Sequence, residues 1–209
     1  MAMTTERNHV ELRPIAGPEV GRAARVLALG MRDNPLHVAA LGRDPAARAR
    51  ALAGLFRGFL GLEVAEKGRV VGAFRDGELV GVCGMMRPGR CQLAAPEKVA
   101  LLPKLLWHCG LKGTGRFLSQ FGNWSRHDLQ TPHWHLGPVG IVPELQGKGI
   151  GSQLMRDFCA FVDGEKMAAW LETDKEINVT FYRRHGFEVV AEDTVNGVAN
   201  WFMERSARG

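Results

Sequence analysis

Residues 146–152 read Gln-Gly-Lys-Gly-Ile-Gly-Ser, so glycine occupies every second position across a short stretch. The segment follows a β-type run at residues 134–142 and precedes an amphipathic stretch that extends to about Val162. Glycine permits close backbone approach to a ligand, and the following helix directs its positive N-terminal end toward the turn. A strand, a glycine-rich turn and a helix in this order predict a phosphate or pyrophosphate site within an α/β fold.

Two common phosphate-binding patterns do not fit this turn. A P-loop requires glycine and Ser or Thr where the chain has Val142 and Gly149. The dinucleotide fingerprint requires its third glycine one residue after Gly151. Glu172 stands at about the distance of that motif's acidic residue, so a distorted NAD(P)-binding turn stays an alternative.

Composition narrows the class of protein. The 209 residues are 45% hydrophobic and 23% charged, which is typical of a globular chain, and we expect a single domain over residues 1–209. The net charge is +5, but no run of five basic residues occurs, so nucleic-acid binding is not predicted. No apolar run is long enough for a membrane span, and residues 1–10 lack a secretory pattern. The four cysteines form no CxxC pair, which favours reduced thiols in a cytoplasmic protein.

Hydrophobic periodicity predicts a mixed α/β domain, because both a hairpin and crossover connections occur. The hairpin is predicted around the Asp76-Gly77 turn. Residues 119–132 are predicted to be irregular. Strands are expected at residues 10–15, 70–74, 79–85, 134–142, 167–171, 187–191 and 198–203. Helices are expected at 17–31, 45–62, 97–118 and 177–185, and a further helix follows the glycine-rich turn at 147–151 and extends to about Val162.

The pattern Gln146-x-x-Gly149-x-Gly151 resembles the pyrophosphate-binding signature of the GNAT superfamily of acyl-CoA-dependent N-acyltransferases. The specific resemblance covers residues 133–205, and before them only the order of elements agrees. It implies a GNAT-like fold with a central mixed sheet of six to seven strands flanked by helices. The pattern is most similar to the branch that contains puromycin N-acetyltransferase, which favours a small-molecule amine as acceptor. Further matching segments are residues 139–143, Leu171-Glu172-Thr173 and Asn178-x-x-Phe181-Tyr182-x-x-x-Gly186-Phe187.

The resemblance implies acetyl-CoA as co-substrate. Asn178 has a second interpretation as the cap of a short helix, and Lys148 and Arg184 have a second interpretation as solvated surface charges. The residues that the resemblance assigns to the cofactor are Val139, Gly140, Ile141, Gln146, Gly147, Lys148, Gly149, Ile150, Gly151, Ser152, Asn178, Phe181, Tyr182 and Arg184.

Three residues are candidates for the chemistry. Tyr182, the single tyrosine of the chain, matches the family position that often protonates the departing thiolate; it could instead pack the short helix. His135 lies where relatives carry a base, and an imidazole titrates near neutral pH; its alternative is a structural histidine. Glu172 could hold a catalytic water or the substrate ammonium, or could cap the turn after Thr173.

His133 shares a strand face with His135, but no third ligand is evident at metal spacing, so no metal is expected. No cysteine lies at the signature, so we expect direct attack in a ternary complex. A protein or peptide acceptor and a non-catalytic CoA-binding sensor stay alternatives, and a homodimer is possible. Residues considered for the acceptor pocket are Met31, Asn34, His108, Phe117, Phe121 and Trp124.

Overall fold

The computed structural model describes residues 10–65, 68–91 and 95–208. The prediction that residues 1–10 hold no secretory segment therefore falls, except for Val10, outside the described residues. Within them the chain forms six α-helices and seven strands. These are β1 (Val10–Pro14), α1 (Val20–Met31), α2 (Pro35–Leu41), α3 (Pro45–Ala65), β2 (Arg69–Arg75), β3 (Glu78–Met86), α4 (Ala95–His127), β4 (His133–Ile141), α5 (Ile150–Gly164), β5 (Ala168–Thr173), α6 (Glu176–Arg183), β6 (Glu188–Val195) and β7 (Val198–Arg205).

The seven described strands form one mixed sheet in the order β1-β2-β3-β4-β5-β7-β6. All neighbours are antiparallel except β4 and β5, which are parallel. The predicted mixed α/β class and strand number are confirmed. In the described part of the chain, β4 pairs with β5 only over His133–His135. Beyond that point β4 continues against β3 and β5 against β7, so the two parallel strands diverge and leave a gap in the sheet.

Hydrophobic side chains cover both faces of the sheet. On one face, α5 buries Leu154 and Phe158 against the strands. On the other face, α1 and α3 bury Leu27 and Leu60. No helix among the described residues is both long and apolar enough to cross a membrane. The sheet is therefore a scaffold with helices on both sides, and its central gap is left for a ligand.

Two helical regions differ from the prediction. Helix α2 was not expected, although Pro35 occupies its first position, where the ring pre-sets φ and the missing N–H costs nothing. Helix α4 continues to His127, through residues that were predicted to be irregular. It is interrupted at Gly110, whose φ of 64° departs from helical geometry. Tertiary packing therefore outweighs the low helix propensity of the glycines in this segment.

Candidate active site

A cavity of about 350 Å³ lies beside the point where β4 and β5 diverge. Its volume falls in the range of small-molecule sites, about 300–1,000 Å³. The strands contribute the polar residues His135 and Glu172, whereas the helices contribute an apolar wall. That wall includes Leu55, Phe56 and Phe59 from α3 and Phe117, Phe121 and Trp124 from α4.

Most residues considered for the acceptor pocket do line this cavity. His108 is the exception; its ring lies against Gly54 on α3 instead. Phe121 packs edge-on against Phe59 with ring centroids 5.9 Å apart, so α3 and α4 build the wall together. The predicted residues found in the lining are Met31, Asn34, Phe117, Phe121 and Trp124.

His135 and Glu172 meet across the parallel strand pair. His135 Nε2 lies 2.9 Å from Glu172 Oε2, and Trp170 Nε1 donates to the other carboxylate oxygen at 2.9 Å. The Glu172 side chain is 3% exposed and the His135 side chain 15% exposed. The alternative that Glu172 caps the following turn is wrong, because both of its oxygens bind these two partners. Strand pairing thus places a carboxylate–imidazole pair at the polar end of the cavity.

The charge of this pair differs from the expectation. Burial alone would lower the pKa of His135, but the Glu172 carboxylate and the Cys91 sulfur outweigh burial and hold that pKa well above its ordinary value. The prediction that His135 titrates near neutral pH is therefore wrong. The raised pKa favours a protonated imidazole, so His135 is not poised to accept a further proton, and Glu172 is left as the other candidate for the base.

Tyr182 lines the same cavity from α6. Its ring packs edge-on against Phe181 and Phe187, with centroid distances of 5.2 and 6.0 Å. Burial, with smaller effects from Cys83 and Asp174, raises the pKa of the Tyr182 phenol. The residue therefore packs the short helix and also presents a protonated phenol near the gap. Its role as an acid stays a prediction.

The glycine-rich turn lies between β4 and α5, as predicted. Gly147 and Gly149 have φ values of 73° and 84°, which residues with a β-carbon rarely adopt. Ile150 is buried in the core and begins α5, so its backbone alone faces the turn. Gly151 and Ser152 follow in the first helical turn, where backbone N–H groups have no partner within the helix. This arrangement suits an anionic ligand.

Gln146 has a structural contact that the motif did not predict. Its side-chain amide donates to the carbonyls of Ile141 at 3.0 Å and Gly30 at 3.2 Å. It therefore ties the turn to the end of β4 and to α1. Lys148 and Arg184 are both exposed, and their roles toward a phosphate stay predictions.

The remaining cofactor candidates flank the gap. Val139, Gly140 and Ile141 pair with β3 on one side, and their other side faces away from β3 toward the gap. Asn178 Nδ2 donates to Thr173 Oγ1 at 3.0 Å, whereas the cap position of α6 is Lys175. The alternative that Asn178 caps this helix is therefore wrong. The Phe181 ring lies against Gly151, where an added β-carbon would be 3.5 Å from Cζ.

The structure adds a group that the sequence did not place at the site. Cys91 Sγ lies 3.3 Å from His133 Nε2, and the donor atoms of Cys91, His133 and His135 all lie within 4.8 Å of one another. The premise that the two histidines lack a third potential ligand is therefore wrong. Burial would raise the pKa of the Cys91 thiol, but the two imidazoles outweigh it and lower that pKa to about 7. No sequence signal marks Cys91, because it lies in a loop far from both histidines in the chain.

Glu63 is a second lining residue that was not predicted. It is 2% exposed, and its Oε2 makes no hydrogen bond to any residue in the described ranges. Burial raises its pKa well above the ordinary value, although His135 opposes this. A signal existed, since Glu63 continues the apolar stripe of α3 at a helical spacing from Phe59 and Leu60. Burial in the cavity therefore favours the protonated, neutral form of this carboxyl.

The family was settled by a sequence comparison. A model of the acetyltransferase (GNAT) family matches residues 38–187, which is well over half of the chain. The chain belongs to the GNAT acetyltransferase family. The match runs from α2 to the residue before β6, so it includes the apolar cavity wall as well as the glycine-rich turn. The narrower assignment to the branch that contains puromycin N-acetyltransferase stays a prediction.

Solved structures show the same fold. A Corynebacterium glutamicum protein, described as histone acetyltransferase HPA2 and related acetyltransferase, is 20% identical with a TM-score of 0.71, covering 96% of this chain and 97% of that one. PaiA N-acetyltransferase from Thermoplasma acidophilum, in complex with coenzyme A, is 14% identical with a TM-score of 0.60, covering 95% and 99%. A GNAT acetyltransferase from Brucella melitensis, in complex with acetyl-CoA, is 17% identical with a TM-score of 0.54, covering 97% and 90%. At these identities the likeness of this GNAT protein to each neighbour concerns the fold.

Proposed function

We propose that this GNAT acetyltransferase transfers an acetyl group from acetyl-CoA to the amine of a small apolar molecule by direct attack in a ternary complex. The observation that carries the proposal is the cavity, which combines apolar walls with the buried carboxylate–imidazole pair of Glu172 and His135. An aromatic or branched aliphatic amine fits such a site, because it buries its apolar body against α3 and α4 and its amine reaches Glu172. A peptide acceptor fits less well, since α2, α3 and α4 bound the space beside the strands.

In this proposal acetyl-CoA, the acetyl donor, binds outside the acceptor cavity. Two structural neighbours of this chain are complexes with coenzyme A or acetyl-CoA. The glycine-rich turn and the first amides of α5 suit the pyrophosphate. The gap between β4 and β5 suits the pantetheine arm, with Val139 on one side and Asn178 on the other. The thioester then arrives beside Tyr182, next to the amine in the cavity.

The chemistry follows from these positions. The substrate ammonium loses a proton to Glu172, directly or through a water, and the neutral nitrogen attacks the thioester carbonyl. A tetrahedral intermediate forms, the carbon–sulfur bond breaks, and the coenzyme leaves as a thiolate that Tyr182 protonates. The second proton that the nitrogen loses in becoming an amide returns to Tyr182 through water, and Glu172 releases its proton to solvent. His135 acts by holding Glu172 in place through its Nε2–H.

The first experiment tests the donor. Acetyl-CoA and desulfo-CoA at about 100 times their dissociation constants add about 2.7 kcal/mol to the free energy of unfolding. For a chain of this size, Tm rises by about 5–11 °C. NADPH is the control and should leave Tm unchanged. A rise with NADPH alone would replace the proposal with the dinucleotide-binding alternative, and no rise with either CoA compound would refute the donor assignment.

A second experiment tests the acceptor site. Phe121→Ala removes part of the apolar wall, so we expect KM for an apolar amine to rise about tenfold, while KM for acetyl-CoA stays within twofold. Trp107→Ala is the matched control, since Trp107 lies on the same helix but is 86% exposed and outside the cavity. Equal effects of the two variants, or a preference of the wild type for peptides over apolar amines, would contradict a small-molecule site.

A further inference from the structure

Three side chains that can ligate a metal ion, Cys91, His133 and His135, come together beside Glu172. His133 and His135 are two residues apart on β4 and therefore point to the same face of the sheet. Cys91 reaches them from the segment after β3, with Sγ 3.3 Å from His133 Nε2. The three donor atoms all lie within 4.8 Å of one another. Two explanations exist for a thiol and two imidazoles at this distance. The side chains either form hydrogen bonds with one another or bind a metal ion.

The ring nitrogen of each histidine that points away from the cluster helps to distinguish hydrogen bonding from metal binding. His133 Nδ1 lies 2.8 Å from the Thr131 carbonyl, which only accepts, so this nitrogen carries the hydrogen. Nε2 of the same ring is thereby the nitrogen that faces Cys91. His135 uses Nε2 toward Glu172 at 2.9 Å, which leaves Nδ1 for the cluster. Histidines that ligate metals show this arrangement, with one nitrogen on the ion and the other on a carbonyl or carboxylate.

His135 Nδ1 supplies an independent observation. This atom is buried and makes no hydrogen bond to any residue that the structure describes. A buried polar atom without a partner destabilises the folded state, so the arrangement calls for a ligand at that point. The hydrogen-bond explanation leaves this nitrogen unsatisfied, whereas a metal ion satisfies all three donors at once.

The donor set selects the ion. A thiolate with two imidazoles favours Zn²⁺ over Mg²⁺ or Ca²⁺, which prefer oxygen ligands. In tetrahedral zinc sites, bond lengths of about 2.0–2.3 Å place neighbouring ligand atoms about 3.3–3.6 Å apart. The 3.3 Å between Cys91 and His133 fits this spacing. Asp128 Oδ1 lies 3.1 Å from the same His133 nitrogen but does not belong to the group of three mutually close donor atoms.

We propose that Cys91, His133 and His135 form a zinc-binding site, with a fourth position filled by water from the cavity. Zinc replaces the protons on the ligand atoms and leaves the hydrogen bond between His135 and Glu172 in place. An occupied site adds positive charge beside Glu172, where the proposed function places the substrate ammonium. The effect of this charge on the substrate rests on the proposed function, whereas zinc binding itself does not.

The test measures binding and needs no activity assay. Protein stripped with a chelator is titrated with Zn²⁺ against a chromophoric competitor, and bound zinc is counted by elemental analysis. We expect one zinc per chain, and about 100-fold or greater weakening by Cys91→Ser or His133→Ala. Cys159→Ser is the matched control; this half-buried thiol contacts the His185 carbonyl, away from the cluster, and its loss should leave zinc affinity unchanged.

Cobalt substitution of the wild type covers the case in which a variant does not fold. Co²⁺ bound through Cys91 gives a thiolate-to-cobalt charge-transfer band that a site without a thiolate lacks. The proposal is overturned if wild-type protein binds less than a stoichiometric amount of zinc, if Co²⁺ binds without that band, or if folded Cys91→Ser and Cys159→Ser bind zinc equally well.

Discussion

Tyr182 shows how the packing of one side chain also sets its protonation. It is buried between Phe181 and Phe187, yet it lines the cavity. Burial that fixes the ring also raises the pKa of the phenol, since the charged phenolate is the form that burial disfavours. The side chain therefore holds its proton at neutral pH, which the proposed acid role requires, although the raised pKa also makes the phenol a weaker acid.

Tyr182→Phe removes the proton donor and keeps the ring. We expect kcat to fall at least about tenfold, because a general acid contributes about 10²–10⁴-fold and water replaces part of that. The pH–rate profile should keep its shape and fall by a constant factor up to about pH 10, since the phenol of the wild type does not ionise there. Steady-state rates for both proteins across this range provide the check.

The packing interpretation makes a different forecast for the same variant. A purely structural Tyr182 would leave kcat within twofold. An alkaline decline that is present in the wild type and absent in the variant would show instead that the phenol ionises within this range.

Among the elements, α2 depends on a residue that directly follows β5. Asp174, just beyond the strand, accepts the Leu36 N–H at 2.8 Å in a buried position. The local cap residue, Asn34, makes no such bond through its side chain. A short helix with little stability of its own is thus held by a carboxylate that lies 138 positions away.

Asp174→Ala leaves the first turn of α2 without its acceptor, and we expect the free energy of unfolding to fall by about 1–3 kcal/mol. Asp174→Asn is the matched variant, because its amide oxygen still accepts the Leu36 N–H, and it should recover part of the loss. Urea denaturation of the three proteins measures both effects. Equal destabilisation by Ala and Asn would mean that charge, rather than the hydrogen bond, matters at this position.

Elements with strong local signals were predictable from the sequence. Asp76 and Gly77 both have positive φ and join β2 to β3 in the predicted two-residue turn. Helix α5 begins at the predicted glycine-rich turn. The second half of α4 was not predictable in this way, because its stability comes from distant partners such as the bond between Asn123 and Asp193. Local propensity contains no information about such contacts.

The residues of the candidate site also separate into those that the sequence could predict and those that it could not. His135 and Glu172 were named because a family pattern fixes their strand positions, and their mutual bond follows from the parallel pairing. Cys91 was not predicted to lie at the site, because the sequence of a loop does not specify which strand the loop approaches. Glu63 could have been predicted from the sequence, because an acidic residue on the apolar face of a helix indicates a buried carboxyl group.

At the scale of the whole molecule, a neutral acid in the cavity links stability to pH. The raised pKa of Glu63 means that the folded state holds its proton after the unfolded state has released it, near pH 4.3. Its contribution to stability is therefore fully present below that pH and is lost as the pH rises toward the folded-state pKa. The maximum slope is about 1.4 kcal/mol per pH unit.

Glu63→Gln keeps the size of the side chain and does not ionise. We expect the stability difference between this variant and the wild type to shift in favour of the variant between pH 5 and pH 8. Denaturant unfolding at several pH values isolates the effect, because other titrating groups are common to both proteins. Parallel stability curves would show that Glu63 is charged in the folded state.

The Gln146 side chain ties the glycine-rich turn to Gly30 and Ile141 before any ligand arrives. The entropy lost in ordering this turn is therefore lost during folding and not during association with the nucleotide. A coenzyme that binds at this turn therefore meets a segment that hydrogen bonds have already ordered. Capture should then proceed in one kinetic phase whose rate is proportional to ligand concentration, without a slow loop closure to limit it.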